Sequence, residues 1–370
     1  LAVVKIAILL PYAPLPADTG AKVEIMKHLR ILRSLGECTI LSAAGKPVGS
    51  GWTPAARESI RGEGFGLVFR EETERTNPLQ FLGMVYASFF KALRLERAFG
   101  HSNPYHRFAF PLNWWRRHTA EADLAVIILS FWARLPTRCP KALVLLDLWS
   151  GRMWEGVARE AAELASCDKV VVISKTEEAL LNRLGLRNTL WSPPVVPRWD
   201  GPLPPVVGMV GSDNPTNIEG LRWLEAAGSP PVPVRVYGRL AGHVRAPGFQ
   251  PVGTYGDPLQ PYRDCGVILL TTKQGTGVQI KSIEALAAAR AMVERRGAVR
   301  GLPEAGGAWR SVESPAEMLA EAAALVGDEP ARVRLAQGAR DYYLRHLDPD
   351  SITTAAREAY EQLLARGRTT

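Results

Sequence analysis

No apolar stretch of the sequence approaches the roughly 20 residues that a membrane-spanning helix requires. Lys5 interrupts the apolar opening and no cleavage pattern follows, so a first strand is expected there rather than a signal peptide. The four cysteines, Cys38, Cys139, Cys167 and Cys265, make no Cys-x-x-Cys pair and no zinc spacing. Three of them stand in or beside apolar strand-like runs, which fits buried thiols in a reducing, cytoplasmic compartment. None of the six histidines is set at a motif spacing from a cysteine or an acid, so neither a zinc site nor a hydrolase triad is legible. A polybasic run is also missing. The net charge of +8 is spread along the chain, which favours anionic partners such as nucleotides or phospholipid surfaces and makes nucleic acid the least favoured.

The 370 residues, 46% hydrophobic and 22% charged, suit a globular protein of roughly two domains. Val3 to Leu10 reads as a strand, 21–35 as a helix stopped by Gly36, and Cys38 to Ser42 as a second strand. This β–loop–α–β opening is the signature of a parallel sheet. The turn lacks Gly-x-Gly-x-x-Gly, which argues against a dinucleotide-binding first unit. Gly20 alone stands at the helix start, where it either admits a diphosphate or simply begins the helix. Gly66 to Arg70, Leu124 to Leu129, Ala142 to Leu146 and Lys169 to Ile173 read as further strands, with a helix near 155–165. Asp147 falls at the carboxyl end of one of these strands, as a substrate contact or as an ordinary turn cap.

Between them lies a harder region. Leu79 to Phe99 is helix-like, with apolar residues interleaved with Lys91, Arg94 and Arg97; it reads as a basic amphipathic surface for a membrane or as a core helix with a solvated edge. The segment Pro104 to His118 is aromatic and basic, suited to sugar stacking, lipid head groups or helix packing. Peripheral contact with the inner face of a membrane through 79–118 is therefore one expectation.

Ser192 to Pro205 carries six prolines in fourteen residues and reads as a linker. The α/β pattern restarts beyond it. Val206 to Val210 runs into Gly211-Ser212-Asp213, a phosphate-loop candidate, and Val234 to Tyr237 into Gly238-Arg239. The expected domains are 1–196 and 197–350, with 351–370 a helix returning towards the first domain. The chain is organised around Cys265 to Arg290. Val267 to Leu270 is a buried strand, a loop with Gly275 and Gly277 follows, and Val278 to Arg290 reads as a helix. Lys281 and Glu284 are neighbours on it, one turn apart, just outside the strand's carboxyl end, where open α/β sheets bind ligands. Amides at Gly277 and Val278, the helix dipole and the ammonium suit a phosphate, and the carboxylate suits a ribose diol. An ordinary surface Lys/Glu pair would share this spacing.

Two α/β halves joined by a proline-rich hinge resemble a GT-B glycosyltransferase, with two Rossmann-like parallel-sheet domains facing a central cleft. The sequence is similar over nearly its whole length to retaining glycosyltransferases of family 4, most of all to the bacterial branch of exopolysaccharide and surface-polysaccharide biosynthesis. The resemblance is carried by Pro11-Tyr through Gly20, Val171-Val-Ile-Ser-Lys-Thr-Glu-Glu178, Val210-Gly-Ser with Asn214-Pro-Thr-Asn217, and Gly277-Val-Gln-Ile-Lys-Ser-Ile-Glu-Ala-Leu-Ala287. It implies that Glu284 holds the ribose, that Gly20 lies against the diphosphate, and that Gly211 and Ser212 face the phosphates.

Departures from the family pattern carry their own implications. Thr276 stands where a second glutamate would hold the donor sugar, so a changed donor contact or a lost activity is implied. A basic pair is missing from Gly211 to Asn217, leaving Lys281 and Arg239, beside Gly238, to meet the diphosphate. On the acceptor side, Asp147 and Trp149 replace a histidine of the family, and Tyr105 is a further candidate. The implied activity is metal-free, retaining transfer of a sugar from a nucleotide-diphosphate sugar to a saccharide, lipid-linked or other hydroxyl acceptor, with no resident cofactor. Asp147 and Lys281 are the catalytic candidates. A GT-B nucleotide-sugar epimerase and a non-catalytic nucleotide-sugar-binding or partner protein are the alternatives.

Overall fold

The computed structural model describes residues 3–17, 19–43, 51–73, 85, 110–148, 156–275, 277–304 and 306–367. Tyr105, Trp149, Thr276 and, apart from Val85, the helix expected over 79–99 lie outside these residues. Two compact units emerge. One comprises Leu1–Pro194 with Asp350–Thr370, the other Val195–Pro349. Among the described residues, no helix is long and apolar enough to cross a membrane.

In the first unit the chain runs β1 (Lys5–Leu9), α1 (Gly20–Leu35), β2 (Glu37–Ser42), α2 (Pro54–Gly62), β3 (Gly66–Phe69), α3 (Arg70–Thr73), α4 (Leu112–His118), β4 (Leu124–Ile128), β5 (Lys141–Leu145), α5 (Val157–Leu164), β6 (Lys169–Val172), α6 (Lys175–Arg183) and β7 (Thr189–Trp191). The strands make a seven-stranded parallel sheet in the order β3-β2-β1-β4-β5-β6-β7. Strands such as β4 and β5 are buried along their whole length, as expected where helices cover both faces of a sheet. Strand order reverses between β1 and β4, which opens a crevice outside their carboxyl ends.

Gly36 ends α1 by a different device from the left-handed cap that its position suggests. Its backbone is extended, and a Cβ there would come within 2.4 Å of Val4 O, so the glycine lets the helix exit press on the chain entering β1. The aromatic segment before β4 is resolved in favour of packing where it is described. Trp114 and Trp115 of α4 are fully buried, their indole N–H groups donating to Thr73 Oγ1 and Pro136 O.

A terminal helix, Pro349–Gly367, belongs to this unit from Asp350 onward and adds Ala356, Tyr360, Leu363 and Leu364 to its core. Tyr360 Oη lies 2.9 Å from His28 Nδ1, and His28 Nε2 lies 2.9 Å from Glu24 Oε1. Lys27 pairs with the same Glu24 oxygen at 2.6 Å and donates to Ser192 Oγ and Pro193 O. One turn of α1 thus fastens both the returning helix and the strand exit after β7.

The second unit runs β8 (Val207–Val210), α7 (Pro215–Glu225), β9 (Val234–Tyr237), β10 (Phe249–Gly253), α8 (Gln260–Asp264), β11 (Val267–Leu270), α9 (Ile280–Ala287), β12 (Ala291–Arg295), β13 (Arg310–Val312), α10 (Pro315–Gly327) and α11 (Glu329–His346). Its six parallel strands are ordered β10-β9-β8-β11-β12-β13, with the reversal between β8 and β11. The proline-rich segment is held within this unit by two arginines. Arg290 donates to Pro202 O at 2.6 Å, and Arg340 donates to Trp199 O and to the last carbonyl of α9, Ala287 O, each at 2.7 Å.

Candidate functional site

The reversal between β8 and β11 gathers four chain segments at one edge of the second unit. After β8, Asn214 caps α7 by accepting from the Asn217 amide at 2.8 Å. Asn217 Nδ2 then reaches back to Ser212 O at 3.1 Å, fixing the Gly211-Ser212 turn. Gly211 cannot carry a side chain without striking Leu240, since a Cβ would stand 2.8 Å from its Cδ2. After β9, Gly238 has φ +81°, and a Cβ there would fall 2.3 Å from Gly211 O. Its amide is engaged with Gly253 O at 2.7 Å. Arg239 pairs with Asp213 at 2.9 Å, both largely exposed, and that bond holds the Asp213 carboxyl below its usual range.

After β11 the loop is clamped from inside. Gln279 Nε2 donates to Thr272 O at 2.6 Å and Ala298 O at 2.7 Å, while Arg300 donates to Thr272 O at 3.0 Å and to Gln274 O. Gly275 takes φ +105°, which a side-chain-bearing residue rarely adopts. The clamp shortens the helix that Val278 and Arg290 were expected to bound. Gln279 is extended at the N-cap, so α9 begins at Ile280. At the other end Ala289 takes φ +49° and α9 stops at Ala287. Gly277 is buried and Val278 half-buried in the approach to α9.

Lys281 and Glu284 project from the first two turns of α9. The Lys281 ammonium donates to Asn217 Oδ1 at 2.9 Å and Thr272 Oγ1 at 3.0 Å, with Val210 O at 3.4 Å. All three acceptors are neutral, and no ion pair to Lys281 forms among the described residues. Burial, reinforced by Arg300 and opposed by Glu284, brings its pKa down to about 8. Glu284 Oε2 accepts from the buried Tyr262 hydroxyl at 2.6 Å. Burial pushes the Glu284 carboxyl up, while Tyr262 and Lys281 pull the other way. Tyr255, half-buried after β10, has its phenol pushed up to about 12 by burial and by the Glu284 charge. A cation hydrogen-bonded only to neutral oxygens and a carboxylate with one tethered oxygen therefore stand side by side at the carboxyl edge of the sheet.

In the first unit, Gly20 is the first residue of α1, behind the Thr19 cap. Asp147 follows β5 and is half-buried; its charge, after burial, helps push the Tyr12 phenol up to about 12, so it lies near the loop that follows β1. The next amide, Leu148, donates to Glu177 Oε1 at 2.8 Å. Trp149 and Tyr105 lie outside the described residues, as does Thr276.

Asn217, Tyr262, Gln279 and Arg300 join the site without having been singled out as ligand contacts. Asn217 stood in the Asn-Pro-Thr-Asn run, and only its distance from Lys281 reveals its part. Arg300 has no motif around it.

No protein-family model and no curated protein matches the sequence. Solved structures do. The chain is similar to Anabaena Alr3699/HepE in complex with UDP-glucose, with a TM-score of 0.68 and 14% identity, covering 97% of this chain and 99% of that one. It is similar to Thermosynechococcus elongatus sucrose-phosphate synthase (0.63, 12%, 98% and 100%). It is also similar to the S. aureus TarM G117R mutant in complex with fondaparinux, alpha-GlcNAc-glycerol and UDP (0.63, 11%, 97% and 99%). The fold is GT-B. Its second sheet carries the Lys281–Glu284 edge at the switch point, where open α/β sheets take their ligands.

Proposed function

We propose that the protein is a glycosyltransferase that moves a sugar from a nucleoside-diphosphate sugar to a hydroxyl acceptor, with retained anomeric configuration and without a metal ion. The observation that carries this reading is the pairing on α9 of an ammonium facing only neutral acceptors with a half-buried carboxylate one turn on. The ammonium suits a diphosphate and the carboxylate suits the ribose diol. The GT-B fold and the sequence resemblance to family 4 support the same assignment, as do the complexes of the similar Anabaena Alr3699/HepE with UDP and with UDP-glucose.

In the proposed reaction the bond between the anomeric carbon and the diphosphate oxygen breaks as the acceptor oxygen bonds to that carbon on the same face. The acceptor proton passes to the leaving diphosphate. Lys281 stabilises the negative charge that grows there, an electrostatic contribution already in place before reaction. No protein nucleophile is required. Asp147 is assigned to the acceptor side with Trp149 and Tyr105, and a saccharide or lipid-linked acceptor of a surface-polysaccharide pathway is the proposed class.

The test is product formation from UDP-, GDP-, ADP- and dTDP-sugars with a panel of saccharide and lipid-linked acceptors, with and without EDTA. Acceptor-dependent release of one nucleoside diphosphate that survives EDTA, with the donor's anomeric configuration kept, is the expected result. Release of nucleotide without an acceptor points to the epimerase reading, and binding without turnover to a non-catalytic role.

A further inference from the structure

Glu284 has one carboxylate oxygen accounted for inside the protein. Tyr262 sits in α8, the short helix leading into β11, and is fully buried. Its hydroxyl donates to Glu284 Oε2 at 2.6 Å, and Lys281 O, on the preceding turn of α9, is also in view at 3.4 Å. A phenol has one proton to give, and the short distance assigns it to the charged acceptor. Among the described residues no group donates to Oε1. The ring is packed in the unit's interior, so its hydroxyl is a fixed point against which the long glutamate side chain is held.

The geometry points to Tyr262 as the positioning residue that orients Glu284, leaving Oε1 as the oxygen presented to the vicinal diol of a ribonucleotide; this rests on the ribose-holding role given to Glu284 above. A free glutamate loses side-chain freedom when it binds, and a tethered one has lost it already. The hydrogen bond from the hydroxyl also opposes the rise that burial imposes on the carboxyl. The charged and titratable groups facing Glu284 are Tyr262 from α8, Lys281 from its own helix and Tyr255 from the loop after β10. Burial raises the Glu284 carboxyl, and Tyr262 is the first of the two groups that oppose it. With the hydroxyl gone the carboxyl takes up a proton more readily, and the diol loses its acceptor as the pH falls.

The experiment is a double-mutant cycle on the full chain with Tyr262→Phe, Glu284→Ala and both together; phenylalanine keeps the buried ring. Titration calorimetry with UDP, GDP, ADP and CDP selects the tightest ribonucleotide, which is then compared with its 2′-deoxy counterpart at neutral and mildly acid pH. Tyr262→Phe is expected to weaken ribonucleotide binding about 3- to 30-fold, within the range for directly coupled residues. It should shrink the ribo/deoxy preference, act more strongly at the lower pH, and have no effect in the Glu284→Ala background. An equal loss in both backgrounds, an unchanged ribo/deoxy ratio or an unchanged affinity overturns the positioning role and leaves the ribose reading standing. If Glu284→Ala binds the ribonucleotide as tightly as the wild type, or if none of the four binds the wild type, the ribose reading falls first and this one with it.

Discussion

The Lys281 ammonium lies 2.9 Å from Asn217 Oδ1 and finds only neutral oxygens among its hydrogen-bond partners. Its pKa, brought down to about 8 chiefly by burial, makes the charge on this side chain depend on pH near neutrality. A bound diphosphate favours the protonated form, so affinity is fullest below pH 8 and falls as the pH rises through that value. Lys281→Met should weaken nucleoside diphosphate binding and abolish its decline above pH 8. Titrations from pH 6.5 to 9.5 check both; a wild-type affinity flat across that range contradicts the assignment.

The same shift acts on folding. The unfolded lysine holds its proton up to about 10.4, whereas the folded one releases it near 8. Between these values the unfolded state binds more protons, so this group's contribution to stability rises with pH and is lost as pH falls through about 8. Subtracting the urea stability curve of Lys281→Met from that of the wild type between pH 7.5 and 10.5 should expose that slope. Equal slopes in the two proteins would show that the lysine is not shifted.

Gly238 is required by the backbone. With φ +81° and ψ −170° it occupies a region open essentially to glycine, and an added Cβ would meet Gly211 O. Gly238→Ala is expected to cost about 1–3 kcal/mol, the usual scale of such strain. Urea denaturation should show a lower midpoint. A midpoint equal to wild type would mean that the turn between β9 and the Gly211 loop is not held as described.

Tyr360 anchors the terminal helix through His28, and both groups are buried. Tyr360→Phe should cost about 1–3 kcal/mol, since it leaves a buried histidine nitrogen without its partner. Burial, helped by Lys27 and opposed by Glu24, lowers the His28 pKa. The unfolded state therefore binds the extra proton as pH falls below about 6.5, and stability contributed by this group is lost in that direction. Removing 350–370 should expose the α1 face and abolish soluble expression. A truncated chain as stable as the full one would contradict this packing.

Much of the architecture was legible because both sheets are parallel and buried. β9 and β11 match their expected bounds, since Val- and Leu-rich runs between turn residues have few other readings. β10 and β12 were hidden for local reasons. Edge strand β10 carries Pro251 and is largely exposed, so its apolar signal is weak. β12 carries Glu294 as its penultimate residue, buried because it accepts from Val299 N and Ser311 Oγ, and a charge in a core strand masks the pattern. The Lys281–Glu284 pair could be read from helical spacing alone. Tyr262 and Asn217 could not, because they reach it through distances across the fold, 2.6 Å to Glu284 and 2.9 Å to Lys281, that spacing along the chain does not encode.

The measurement that bears most directly on the central claim is nucleotide affinity of wild type and Glu284→Ala, read by calorimetry with UDP, GDP, ADP, CDP and their sugars, with and without EDTA. One nucleotide family should bind the wild type irrespective of EDTA, and the substitution should weaken it by roughly 1.5–3 kcal/mol, about 10- to 100-fold, while the protein remains folded. Identical affinity in the folded variant, or no binding of any of these nucleotides to the wild type, would contradict the assignment of the α9 edge as the donor site.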